Sequence, residues 1–130
     1  MTATEHLGKL QLTIMRVLWG AGEATVNDVH EALLESHGLA PTTIATMLKK
    51  MERKGVVKHR TEGRRFVYRP TVSEELVTRS MVAELAERLF DGDKVALVSH
   101  LLQAHEVDAD ELAALQRQID AARRAAKEDV

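Results

Sequence analysis

The sequence predicts a mainly α-helical chain with one small β-hairpin, organised as a compact head followed by a helical tail. Three observations carry this expectation. Apolar residues recur at spacings of three and four through most of the chain, the mark of helices with one buried stripe. The period changes to alternation only between Val56 and Pro70. The seven glycines and two prolines fall between the periodic segments and punctuate them. The 130 residues are enough for a small domain plus an appendage. Hydrophobic residues make up 45% and aromatics only 3%, so the core must be aliphatic.

The first helix is expected over Leu10 to Trp19, with Leu10, Ile14, Met15, Val17, Leu18 and Trp19 apolar, and with Gly20 and Gly22 as its stop. Ala24-Thr25 is a short link, extended at most over those two residues. Thr25 has the character of an N-cap, with Asp28 three residues on to close the first turn. Val26, Val29, Ala32 and Leu33 line the second helix, and Gly38 follows its end. Pro41 opens the third helix, because its fixed φ suits the first helical position. That helix runs to Lys54 and stops at Gly55, burying Ile44, Met47, Leu48 and Met51. Its other face carries Thr42, Thr43, Thr46, Lys49, Lys50 and Arg53. Val56–Glu62 and Arg65–Pro70 then form the hairpin, turning at Glu62-Gly63-Arg64.

Three helices and a hairpin, with a turn of three to four residues between the second and third helices, make a winged helix-turn-helix head. The tail starts at Ser73, ahead of a long helix that breaks at Phe90-Asp91-Gly92-Asp93. A second tail helix spans Lys94 to His105, and Asp108 caps a third whose Ala/Arg-rich end is expected to fray. The expected domains are residues 1–72 and 73–130. Tail helices this short need an apolar partner, and a second copy of the chain is the economical one. The expected dimerisation residues are Leu76, Met81, Leu85, Leu89, Val98, Leu101, Leu102, Leu112, Leu115 and Ile119.

Charge is distributed unevenly. The net charge is −2, yet Thr42 to Arg69 holds nine basic and two acidic residues, a net +7 in 28 residues. A basic block in an acidic chain, with few acids close by in sequence, is the footprint of a polyanion-binding face. Thr42, Thr43 and Thr46 suit base edges and thymine methyls in the major groove. Lys49, Lys50, Arg53, Arg64 and Arg65 suit phosphates, and Thr25 is grouped with this DNA-binding set. The competing expectation is a winged-helix module that binds only proteins, which has no need of those threonines and cations exposed together.

Other classes are disfavoured. There is no cysteine, hence no disulfide, thiolate metal site or cysteine nucleophile. No HExxH, phosphate-binding glycine loop or GxSxG occurs, and the histidines at 6, 30, 37, 59, 100 and 105 do not converge by spacing. No enzyme activity, metal or cofactor is expected, and a metal-sensing repressor would rest on histidines alone. The opening residues lack a leader's basic and apolar regions, and no run approaches a membrane span of about 18 apolar residues. The expected location is the cytoplasm.

Several motifs, in this order, resemble one family. They are Ile14-Met15-Arg16-Val17-Leu18-Trp19, Thr25-Val26, Pro41-Thr42-Thr43-Ile44, Glu62-Gly63-Arg64-Arg65-Phe66-Val67-Tyr68-Arg69-Pro70, Ala96-Leu97-Val98 and Glu111-Leu112. Together they are similar to the penicillinase-repressor and methicillin-repressor family over about residues 7 to 119. The resemblance implies a homodimeric winged-helix transcriptional repressor on a pseudo-palindromic DNA operator. It also implies a regulatory protease that ends repression by cutting the tail. The antibiotic-linked branch is cut at an Asn-Phe bond, and the matching pair here is His100-Leu101. The chain departs from the family at Gln11, where an acid is frequent, and at Leu12, where an aromatic is frequent. It also lacks the cysteine cluster of the copper-responsive branch.

Overall fold

The computed structural model describes residues 7–104 and 106–128. The elements follow in the order α1 (Lys9–Ala21), β1 (Ala24–Thr25), α2 (Val26–His37), α3 (Pro41–Lys54), β2 (Val57–Glu62), β3 (Arg65–Pro70), α4 (Glu74–Phe90), α5 (Lys94–Ala104) and α6 (Ala109–Glu128). The chain is mainly helical with one small antiparallel sheet. It divides into two compact units, Met1–Leu85 and Ala86–Val130.

The head core is mostly aliphatic, with Tyr68 buried in it and Trp19 packed against it. Ile14, Met15 and Leu18 of α1, Val29 of α2, and Ile44, Leu48 and Met51 of α3 are fully buried in one cluster. Ile14 and Met15 lie four and three residues before Leu18, Val29 lies four before the buried Leu33, and Ile44, Leu48 and Met51 follow at four and three, so each helix buries one stripe and turns the opposite face outward. α1 continues through Gly20 and ends at Gly22, whose φ is 86° and whose N–H donates to Leu18 O. The sequence places that stop at both glycines; Gly20 is held in the last turn because only Gly22 adopts a left-handed φ.

Thr25 joins sheet and helix. Its backbone pairs β1 with β3, where Ala24 faces Tyr68 and Thr25 faces Val67. Its hydroxyl accepts from Asp28 N at 3.1 Å, and Asp28 Oδ2 accepts from Thr25 N at 3.0 Å. This reciprocal capping box fixes where α2 begins. β2 pairs with β3 from Val57↔Pro70 to Glu62↔Arg65, giving the strand order β1-β3-β2. Two residues, Gly63 and Arg64, make the turn. Gly63 has φ 65°, the left-handed value that glycine supplies at the first central position of a tight hairpin.

The head does not stop where the hairpin does. The Trp19 indole N–H donates to Val72 O at 2.9 Å. Val77 is buried in the head core, and Val72 and Met81 pack against it. The first compact unit therefore runs on to Leu85, beyond the boundary at 72/73 suggested by the composition change, and the division falls within α4.

Each tail helix has an identifiable start. Ser73 Oγ accepts from Leu76 N, Asp93 Oδ1 from Ala96 N, and Asp108 Oδ1 from Glu111 N, all within 3.0 Å. Asp91 and Gly92, both at positive φ, break α4 from α5. α5 ends at Ala104, His105 lying outside the described residues. α6 remains helical to Glu128, through the Ala/Arg-rich stretch expected to fray. Neither α5 nor α6 buries a single residue.

Thr25→Ala removes one half of the capping box at the junction of sheet and helix. We expect a loss of ~1 kcal/mol in head stability, with Thr25→Ser restoring most of it. Urea denaturation followed by circular dichroism measures both; an unchanged midpoint in the alanine variant would show that the cap contributes nothing.

Candidate nucleic-acid interface

α3 presents its outer face in full. Thr42, Thr43, Thr46, Lys49, Lys50 and Arg53 are all exposed, while Ile44, Leu48 and Met51 on the same helix are inaccessible. The structure thus brings six of the nine expected DNA-binding residues onto one surface. Thr42, Thr43, Thr46 and Lys50 border a shallow hollow of about 330 Å³ floored by Met47. Met47 is only partly buried, so it belongs to the edge of that surface as well as to the core.

A second cleft, of about 580 Å³, lies between the start of α2 and the hairpin tip. Thr25, Val26, Asn27 and Asp28 line one side, Pro41 the base, and Arg64, Arg65 and Phe66 the other. Arg64 and Arg65 project from the tip and are exposed. Thr25 is different: it is buried and its hydroxyl is engaged by Asp28, so it holds the helix start and offers no free hydroxyl. Asn27 and Phe66 were not anticipated. Their position follows from the pairing of β1 with β3, which no local pattern announces.

The basic block is partly neutralised from outside. Arg60 donates to Glu23 at 3.0 Å and to Glu62 at 2.9 Å, and Arg65 reaches Glu62 at 3.4 Å. Glu23 is 37 residues from Arg60 in sequence, so the apparent scarcity of acids around the block does not survive folding. Lys49, Lys50, Arg53 and Arg64 have no ion-pair partner among the described residues. With Lys58 and Arg69 on the hairpin strands, which are likewise exposed and without such a partner, they are the cations of the block left to the surface. His59 is placed otherwise, donating to Glu52 at 2.6 Å and stacking on Phe66 at 4.2 Å between ring centres. That arrangement ties the outer hairpin strand to the end of α3.

The tail shows an apolar surface instead. Leu76, Leu85, Leu89, Val98, Leu101, Leu102, Leu112, Leu115 and Ile119 are between 38% and 66% exposed. Val82 and Val95 add to this set and were not anticipated. Met81 is the exception among the expected dimerisation residues, being packed against the head core. Between α5 and α6, Val98, Leu102, Leu112, Leu115 and Ile119 line an open groove of about 360 Å³. His100 and Leu101 are exposed within α5, and the His100 ring lies 5.8 Å from that of Phe90.

The other described histidines serve the framework. His30 Nδ1–H donates to Leu39 O at 2.9 Å, and His37 Nδ1 pairs with Ser36 Oγ at 2.7 Å. His6 and His105 lie outside the described residues. No helix among the described residues is long and apolar enough to cross a membrane.

Residues 7–121 match the family model described as penicillinase repressor. The chain belongs to the penicillinase-repressor family. Its relatives include a protein named transcriptional regulator BlaI from Mycobacterium tuberculosis, 36% identical over 90% of this chain and 85% of that one. A penicillinase repressor from Bacillus licheniformis is 27% identical over 86% of this chain and 88% of its own length. Among solved structures, the solution structure of the DNA-binding domain of the repressor BlaI superposes with a TM-score of 0.51 at 34% identity. It covers 57% of this chain and 90% of that one. The family is one of transcriptional repressors and not of enzymes.

Within this family frame, Gln11 has a physical account. It is buried, and its Oε1 accepts from Lys54 Nζ at 2.8 Å, so a neutral amide supplies the acceptor that an acid would otherwise provide.

Three carboxyls in the head are held below their ordinary values. For Asp28 the cause is first the Thr25 backbone N–H it accepts from. For Glu23 and Glu62 it is first the hydrogen bond from Arg60. Burial raises the Tyr68 hydroxyl instead. A carboxyl with a depressed folded value contributes stability above its unfolded value and loses it as pH falls through the folded one. Head stability should therefore fall as pH drops below the ordinary carboxyl values of 3.8 and 4.5. Asp28→Asn keeps an acceptor but cannot titrate, so the slope of denaturation midpoint against pH should be shallower in that variant; an identical slope would remove Asp28 from the account.

Proposed function

We propose that this repressor binds double-stranded DNA as a homodimer on a pseudo-palindromic operator in the cytoplasm. α3 enters the major groove and the hairpin tip lies along the phosphates. The observation that carries the reading is the exposure on one face of Thr42, Thr43 and Thr46 beside cations without ion-pair partners. Thr reads base edges, and free Lys and Arg hold phosphates. The match to a DNA-binding domain at 34% identity over the head supports it. The exposed leucines and valines of the tail supply the self-association surface, and a two-fold dimer places two heads on half-sites about one helical turn apart, ~34–36 Å.

Of the unpaired cations in each head, the four on the outer face of α3 and at the hairpin tip, Lys49, Lys50, Arg53 and Arg64, neutralise about eight phosphates per dimer. The logarithm of affinity should then fall with the logarithm of salt at a slope near −7. Substituting Arg64 and Arg65 together by Ala should weaken all DNA about equally and flatten that slope. Fluorescence anisotropy across a salt series measures both. A slope near zero would support the protein-only module instead.

A head ending at Leu85 keeps Val72, Val77 and Met81 in its core and so should fold. It should be monomeric and bind operator ~10²–10⁴-fold more weakly than the full chain, because the second head no longer acts at high effective concentration. Sedimentation and titration of the same sample test this; a truncated head as tight as the full chain would refute the dimer's role.

A regulatory protease that cut the tail would end repression by abolishing that avidity. The bond matching the family's cleaved position, His100-Leu101, lies inside α5, where a backbone in helical hydrogen bonds reaches a protease only after local unfolding. It also presents an imidazole and a non-aromatic leucine where an Asn-Phe pocket expects other shapes. We expect no fragment ending at His100 when producing cells are treated with β-lactams; recovery of that fragment by mass spectrometry would restore this route.

A further inference from the structure

The three threonines of α3 are not equivalent. Thr46 Oγ1–H donates to Thr42 O at 2.9 Å, one turn back along the same helix. The hydroxyls of Thr42 and Thr43 have no partner among the described residues. Thr46 is nonetheless exposed, beside the partly buried Met47 and the free Lys50, on the wall of the hollow described above. With its proton given to the helix, the Thr46 side chain has no hydrogen to donate to a base. Its γ-methyl, next to the Met47 thioether, is then an apolar spot on an otherwise polar recognition face.

We propose that Thr46 determines specificity through its methyl group, with Met47 beside it, by seating the 5-methyl of a thymine in each half-site. This rests on the DNA-binding reading above and adds to it the base and the atom that are read. The chemistry matches on both sides. The thymine methyl is the one apolar feature in the major-groove pattern. A back-bonded threonine also keeps a single side-chain rotamer, so its methyl is presented without loss of freedom on binding. Thr42 and Thr43, whose hydroxyls are free, are left as the side chains able to donate to a base acceptor.

Two conservative variants separate methyl from hydroxyl. Thr46→Val keeps the branched shape and methyl and loses the hydroxyl. Thr46→Ser keeps the hydroxyl and loses the methyl. Both sit on an exposed helix face, so both should fold, which circular dichroism checks. An operator is first selected from random duplexes with the full-length protein, and each thymine is then replaced by deoxyuridine. We expect one thymine per half-site whose replacement costs ~4-fold in affinity, or ~15-fold when both half-sites are changed, the worth of one buried methyl each. Thr46→Val, which keeps the methyl, should keep the unaltered protein's preference for thymine over uracil, ~15-fold with both half-sites changed. Thr46→Ser should lose about as much as the uracil substitution, and uracil should cost it nothing further. Additive losses would overturn the proposal, as would a Thr46→Val variant that no longer tells thymine from uracil. If the unaltered protein selects no DNA at all, the parent reading falls as well, an outcome distinct from either variant's result.

Discussion

The burial of one stripe of α3 is the constraint on which the rest of the head depends. Ile44, Leu48 and Met51 are wholly inaccessible, in one cluster with Ile14, Met15 and Leu18 of α1. Turning α3 by a single residue would bring these three toward water. At about 1.5–3 kcal/mol for each side chain, that change costs roughly 5–9 kcal/mol, comparable to the whole stability of a typical domain. The outward direction of Thr42, Thr43, Thr46 and Lys50 is therefore set by the core. The exposed face of α3 is oriented by the apolar face opposite it.

The ion pairs act on a different quantity. Arg60, Glu23 and Glu62 are each about half exposed, and pairs of that kind contribute only about 0–1 kcal/mol to stability. Their consequence is the shape of the field. Glu23 and Glu62 hold Arg60 on the sheet, whereas Arg64 at the turn and Lys49, Lys50 and Arg53 on α3 keep their charge uncompensated. Beyond about 8 Å, salt screens whatever remains. A phosphate backbone must approach closely to feel these cations, and in the proposed complex it would meet them in two places: along α3 and at the hairpin tip.

The elements of the head were legible wherever a local signal determined them. Pro41 and Gly55 bracket α3 at the positions the sequence marks, and the Thr25/Asp28 pair caps α2 as its spacing implies. The hairpin turn follows from Gly63. What sequence reading missed is long-range. Glu23 meets Arg60 across 37 residues, and the Trp19 indole meets Val72 across 53. Neither separation carries a period or a cap. For the same reason the extent of the head was not visible. The composition changes after Pro70, but Val77 and Met81 are spent on the head core, and an apolar residue at helical spacing does not announce which core it joins. Thr25 illustrates the converse. Its capping role was legible, and that role removes its hydroxyl from the site to which it was also assigned.

The tail has the opposite balance. α5 has 11 residues and α6 has 20, and neither buries a side chain within the single chain. A helix of 11 residues is marginal in water by itself, and helices in proteins gain most of their stability from packing an apolar face. Among the described residues, Leu34 and Phe66 are the only large apolar side chains left exposed before residue 76; the remainder belong to α4, α5 and α6. In a two-fold interface each such residue is used twice, so a modest strip suffices to join two copies. Under the proposed dimer, tail stability is a function of protein concentration, and so is operator affinity, since the partner's head raises the effective concentration of the second site. Control of repression would follow from that arrangement: a change that disturbs only the tail would lower DNA affinity by orders of magnitude while α3 and its threonines remain untouched.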